Sequence, residues 1–287
     1  MSLINLDDPE VYPGIDRSNM LAELVGLPEQ LVHAWEMGQG FDLPDRKNFS
    51  QLVIAGMGGS AIGADLLNAY TSDEICCPVH VLREYQLPGW AVGEKVLVVA
   101  SSHSGNTEEV LSIFDQAFEQ KCNLLVITTG GKLSQKAQEK ACPLWTFMHT
   151  GQPRSAVGYS FGFLLALVSR LKMINNPEKS LRIAVNAMRE MIQSINIDIP
   201  VKLNPAKRMA GQLMNRWITF VASDYLAPIA RRYKTQVNEL AKVWAQYEIL
   251  PEMDHNTLAG IVGADEILIK TFVLFISGSF IHPRNQL

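Results

Sequence analysis

The chain has 287 residues, 47% hydrophobic and 19% charged, with a formal net charge of −4 at pH 7. That length leaves room for two domains of roughly 100–150 residues each, and the acidic balance argues against nucleic acid as a main partner, since covering a phosphate backbone takes an excess of Lys and Arg. The four cysteines (Cys76, Cys77, Cys122, Cys142) form no C-x-x-C pair and the six histidines show no metal-ligand spacing, so reduced, buried thiols in a cytoplasmic protein and no metal are expected.

The opening "MSLINLDDPEVYPG" is acidic and lacks the apolar core of a signal peptide. "DRSNMLAELVGLPEQLVHAWEMG" then predicts one or two packing helices. From residue 51 short apolar runs alternate with helix-length amphipathic ones. "QLVIAGM" precedes "SAIGADLLNAYT", and "PVHVLRE" follows. "KVLVVASS" precedes "NTEEVLSIFDQAFEQ", "NLLVITTG" precedes "KLSQKAQEKA", and "PLWTFM" closes the series. Apolar runs separated by helices imply parallel strands covered on both faces, a doubly wound α/β sheet with its crevice at the strands' carboxyl ends.

A second series follows "TGQPRSAVGYS". "SAVGYSFGFLLALVSRLKMI" and "LRIAVNAMREMIQSI" predict helices, "RWITFVAS" a strand, "APIARRYKTQVNELAKVWAQ" a helix and "KTFVLFISGS" a further strand. Two domains are therefore expected, over residues 1–152 and 153–287. The longest apolar stretch, "ILIKTFVLFISGSFI", carries Lys270 and Gly278 and falls short of the ~20 residues that span a bilayer, so no membrane association is expected.

Two clusters sit where a strand hands over to a helix. In "GMGGSAIG", Gly58, Gly59 and Ser60 follow the first strand. The spacing is neither that of a dinucleotide fingerprint nor of a Walker loop, leaving a tight turn or a glycine floor under a small ligand. In "SSHSGNTEEVL", Ser101, Ser102, Ser104 and Thr107 converge around Gly105 before an acidic helix start. A cap needs one hydroxyl. Several hydroxyls beside first-turn amides also make an anion site suited to a phosphate monoester. Both readings stand at this point.

"GMGGSAIGADLL" and "SSHSGNTEEVL" at this separation resemble the sugar isomerase (SIS) fold. "QPRSAVGYSFG" and "QVNELAKVWAQYEILPEMDHN" further resemble the bifunctional phosphoglucose/phosphomannose isomerases. The resemblance implies two SIS-type domains and reversible interconversion of glucose 6-phosphate or mannose 6-phosphate with fructose 6-phosphate through a cis-enediol, with no cofactor. A sugar-phosphate binder without turnover and an isomerase of another phosphosugar are the alternatives. Residue by residue, it implies that Ser102, Ser104 and Thr107 hold the phosphate, with Gly58, Gly59 and Ser60 beside the sugar. Glu239 in the N-E-x-A-K pattern is implied as the base, where the bland reading is a solvated helix face shared with Arg231 and Thr235. His255 is implied in ring opening from a neighbouring subunit, which implies a homodimer, and Arg154 in stabilising the enediolate. Ala61 and Thr257 depart from the family's usual glycine and glutamate. The family's last helix and strand have no counterpart after "FIHPRNQL", so a second domain that is incomplete, or completed by a partner subunit, is expected.

Overall fold

The computed structural model describes residues 4–45, 48–263 and 265–286. It divides into two compact units, Met20–Arg189 and Met1–Asn19 with Glu190–Leu287.

The larger unit opens with a short helix, α1 (Met20–Val25), and carries a parallel sheet built from β1 (Gln51–Ala55), β2 (Val79–Leu82), β3 (Val96–Ser102), β4 (Asn123–Thr128) and β5 (Leu144–Thr146). Its strand order is β2-β1-β3-β4-β5. The strands are apolar throughout because both sheet faces are covered, and successive side chains alternate between them. Leu52, Ile54, Leu97, Val99, Leu125 and Ile127 share one core with helices α2 (Leu27–Gly40), α3 (Gly58–Thr71) and α6 (Val157–Arg170). Val53, Ala55, Val98, Ala100, Leu124 and Val126 share the other with α4 (Glu108–Glu119) and α5 (Gly131–Glu139).

The boundary expected between residues 152 and 153 is corrected by this packing. Helix α6 and the first part of α7 (Glu178–Ser194) belong to the first sheet: Phe163, Leu164 and Leu167, with Leu181 and Val185, lie in the same core as Leu52 and Leu97. A doubly wound sheet needs both faces covered, and the helices that follow β5 supply part of that cover.

The smaller unit holds a parallel sheet of β6 (Trp217–Ser223), β7 (Ala245–Leu250) and β8 (Thr271–Phe275), with β6 in the middle. Ahead of it lies α8 (Pro205–Leu213), started by Asn204, whose side chain accepts from the Lys207 amide at 3.1 Å. Strand β7 is a correction to the sequence reading, which ran one helix through Gln246. The α-helix α9 (Ala227–Gln236) gives way to a π-helical turn, Val237–Ala241, and Lys242 closes it with φ +56. Ala230 of α9 is packed with Ile218, Phe220, Ala222 and Ala245 in this sheet's core. Among the described residues no helix is long and apolar enough to cross a membrane.

Candidate active site

Strands β1 and β3 are neighbours, paired in register up to Ala55 and Ala100. The chain leaves β1 into α3 on one face of the sheet and leaves β3 into α4 on the other. The strand order reverses here, and divergent helices open a crevice at the carboxyl ends, where open α/β sheets bind ligands. "GMGGS" and "SSHSGNT" are the two loops that border it.

The first loop is short because helix α3 begins at Gly58, directly after an extended Met57. A Cβ on Gly59 would lie 2.6 Å from the carbonyl oxygen of Pro153, so the glycine lets the helix start press against the turn Pro153–Ser155. That turn carries Arg154, whose guanidinium donates to Oε1 of Gln152 at 3.3 Å. Ser60 and Ser101 are buried and line a small cavity of about 10 Å³ with His103, Phe147, Pro153 and Ser160.

The second loop is locked from inside and from behind. The Ser102 hydroxyl accepts from the Gly105 amide at 3.1 Å and shares a 2.8 Å hydrogen bond with the Thr107 hydroxyl. The Ser104 hydroxyl accepts from the Asn106 amide at 3.2 Å. Gly105 has φ +65, and a Cβ there would fall 1.8 Å from the carbonyl oxygen of Gly130. The loop after β4 backs it: Thr129 donates to the carbonyl of His103, the Lys132 amide to Oδ1 of Asn106, and the Leu133 amide to the carbonyl of Gly105.

Thr107 is the N-cap residue of α4 in position, yet its side chain makes no capping hydrogen bond. Its hydroxyl turns to Ser102 instead. The first-turn amides of α4 have no intrahelical acceptor, as at any helix start, and here they stand beside hydroxyl groups at the positive end of the helix. Thr107 therefore does not cap α4 through its side chain. The arrangement is able to hold a multivalent oxyanion with neutral donors.

The structure thus brings Gly58, Gly59, Ser60, Ser102, Ser104, Thr107 and Arg154 to one end of the first sheet. Glu239 and His255 belong to the other unit. Glu239 lies in the π-helical turn, half-buried, beside Arg232, whose guanidinium burial pushes down to about 10 while Glu239 acts in the opposite sense. The extra residue of the π turn breaks the i, i+4 row, so Arg231 and Thr235 do not share a regular α-helical face with Glu239. Arg231 packs on Tyr247 and donates to its hydroxyl at 2.9 Å, and the Thr235 hydroxyl donates back to the carbonyl of Arg232. Lys242 of the same pattern donates to the backbone carbonyl of Glu239 at 2.7 Å, and Asn238 to the carbonyl of Val243 at 2.7 Å. Both residues hold the turn's shape. His255 is exposed at the end of a 3₁₀ turn, Glu252–His255, anchored by buried Met253.

Sequence reasoning missed the backing loop Thr128–Gly131 and a chain of polar side chains, His103, His149 and Glu23, behind the serine loop. The signal for the first was "TTGG" after a strand, and for the second a histidine set among the serines. Among the described residues no group of three or more His, Cys, Asp or Glu is placed to hold a metal ion.

A family profile described as the bacterial phospho-glucose isomerase C-terminal SIS domain matches residues 202–287. A glucose-6-phosphate isomerase like protein from Thermus thermophilus superposes with a TM-score of 0.62 at 18% identity, over 97% of this chain and 79% of that one. Parallel sheets, switch-point crevice and hydroxyl loop define a protein of the SIS class. The bifunctional phosphoglucose/phosphomannose isomerase of Caldicellulosiruptor bescii is 34% identical over 270 residues, 93% of this chain and 79% of that protein. The D-glucosamine-6-phosphate 4-epimerase of Sulfolobus acidocaldarius is 30% identical over 218 residues, 76% of this chain and 66% of that protein. The chain belongs to the bifunctional phosphoglucose/phosphomannose isomerase family. The α/β class and the isomerase family expected from the motifs are borne out.

Proposed function

We propose that this protein interconverts an aldose and a ketose 6-phosphate, glucose 6-phosphate or mannose 6-phosphate with fructose 6-phosphate. The carrying observation is the serine loop. Thr107 occupies the N-cap of α4 but its hydroxyl pairs with that of Ser102, so the first-turn amides are not taken up by a side-chain cap, which supports an anion site there. Ser102, Ser104 and Thr107 hold the phosphate, and Gly58, Gly59 and Ser60 border the sugar.

Chemistry then requires one proton to move between C1 and C2. Glu239 is the base; its place in a π turn beside Arg232 supports the role, since such turns recur at functional sites. Arg154 supplies fixed positive charge for the enediolate oxygens. Exposed His255 takes and gives the ring-opening proton, acting on a neighbouring subunit in a homodimer. The reaction needs no cofactor and suits the cytoplasm.

Solvent deuterium exchange into C1 of fructose 6-phosphate, followed by NMR, tests this reading. Exchange with concomitant aldose formation is expected. Binding of the sugar phosphate without any exchange would overturn it in favour of a non-catalytic binder. Similarity to the 4-epimerase favours a second reading, inversion at C4 of an amino-sugar phosphate on the same loop. Incubation with glucosamine 6-phosphate separates the two, because the isomerase reading expects no C4-inverted product.

A further inference from the structure

His103 stands between Ser102 and Ser104, and its ring lines the small cavity with Ser60 and Ser101. Its Nε2 lies 2.8 Å from Nδ1 of His149, and Nε2 of His149 lies 3.0 Å from Oε2 of Glu23. Glu23 also accepts from the Ser155 hydroxyl at 3.0 Å. The chain is partly enclosed: the His149 side chain is 9% exposed and that of Glu23 26%, Ser155 is buried, and Phe147 and Tyr159 pack around the two rings. A Cβ on Gly151 would fall within the Glu23 carboxylate, so the backbone there leaves the space that the acid fills.

The carboxylate end sets the direction of every bond. Glu23 accepts, so Nε2 of His149 donates and its Nδ1 is bare when the ring is neutral. His103 therefore donates from Nε2, and its own Nδ1 is the nitrogen left to take up a proton. Burial lowers the proton affinity of His103, His149 lowers it further and Glu23 opposes them, which leaves the ring neutral near pH 7. Among the described residues, the ionisable aromatic ring in contact with the pair is Tyr159 from α6; burial first and Glu23 second raise its pKa, so it stays a phenol.

We propose that His103, His149 and Glu23 form a proton-accepting relay behind the serine loop, and that binding of a phosphate dianion there draws one proton into it. A proton arriving at Nδ1 of His103 lets its Nε2 proton pass to Nδ1 of His149. His149 becomes an imidazolium held by the Glu23 carboxylate, with one proton gained and only N–H bonds exchanged. His103 is here a positioning residue: it sets the charge behind the loop and touches no reacting carbon. The loop is thereby matched to a dianion without a lysine or arginine in its own sequence, from Ser101 to Thr107. This inference rests on the phosphate-loop reading given above.

The test is calorimetry of glucose 6-phosphate binding to the full chain, in buffers of different ionisation heat between pH 6 and 8. The parent is compared with His149→Gln and Glu23→Gln, so that titration of the ligand itself cancels. The parent should take up more protons per ligand than either variant. Its affinity should tighten relative to theirs by up to about tenfold per pH unit on going down in pH. A measurement on the parent alone guards against misfolded variants: the ring resonances of the hydrogen-bonded His103–His149 pair should titrate at higher pH with ligand than without. Equal proton uptake in all three proteins, or an unmoved titration of the His103–His149 pair with ligand bound, would overturn the relay alone. Failure of the parent to bind would take down the relay and the phosphate-loop reading together.

Discussion

Gly105 combines a left-handed backbone with a Cβ position 1.8 Å from a neighbouring carbonyl oxygen, so neither strain nor collision is avoidable for any other residue. Gly105→Ala should lower stability by ~3 kcal/mol, within the range of severe backbone substitutions, read by urea unfolding. It should also weaken sugar-phosphate binding, because the Ser102 and Ser104 hydroxyls hang on that turn. Cys77 gives a milder test at the same scale. Burial first, then adjacent Cys76, pushes its thiol up to about 11, so at pH 8 it stays protonated and unreactive. Cys76 is exposed, contrary to the expectation that the thiols are buried. Mass spectrometry of limited alkylation at pH 8 should find Cys76 modified well before Cys77. For the proposed base, Glu239→Gln keeps size and polarity but cannot take a proton. The rate of C1 exchange should fall by ~10²–10⁴, the usual contribution of a general base, with little change in affinity by calorimetry.

Helix α4 carries the element-scale argument. An ordinary N-cap hydroxyl contributes about 1 kcal/mol to its helix, but Thr107 makes no such bond. Thr107→Ala should therefore cost less than that in a thermal melt while lowering sugar-phosphate affinity about tenfold or more, since hydrogen bonds to charged groups are worth ~1.5–3 kcal/mol. A large stability loss with unchanged affinity would restore the capping role. The anchoring face of the same helix behaves differently. Phe114 is fully buried between α4 and the sheet, and Phe114→Ala should destabilise the first unit by ~3–5 kcal/mol through the cavity it leaves.

At the scale of the whole molecule, each unit has its own sheet and its own core. Strand β8 of the smaller one leaves Phe275 62% exposed and Val273 40% exposed. The proposed homodimer would cover these apolar side chains. Light scattering at micromolar concentration should give twice the chain mass. A monodisperse monomer would count decisively against the dimer and against His255 serving a neighbouring site.

Much of this was legible in the residues alone. Short, β-branched apolar runs such as "KVLVVASS" and "NLLVITTG" read as strands buried on both faces, because period-2 alternation is erased when helices cover each side. The serine loop and glycine loop were visible as motifs because local backbone demands choose Ser, Thr and Gly directly. Strand β7 was hidden, since "AQYEIL" follows a helix without Gly or Pro to mark the break, and the π turn that ends the helix has no local signature. The unit boundary was hidden too: which sheet a helix covers is a matter of long-range packing, and α6 is apolar enough to suit either. Only the tertiary structure decided that Thr107 turns from its helix to Ser102, because that choice depends on where β3 delivers the partner hydroxyl. It alone joined Glu23, His149 and His103, residues up to 126 positions apart, for the same physical reason: hydrogen-bond partners are set by the meeting of elements in space, and no periodicity along the chain records them.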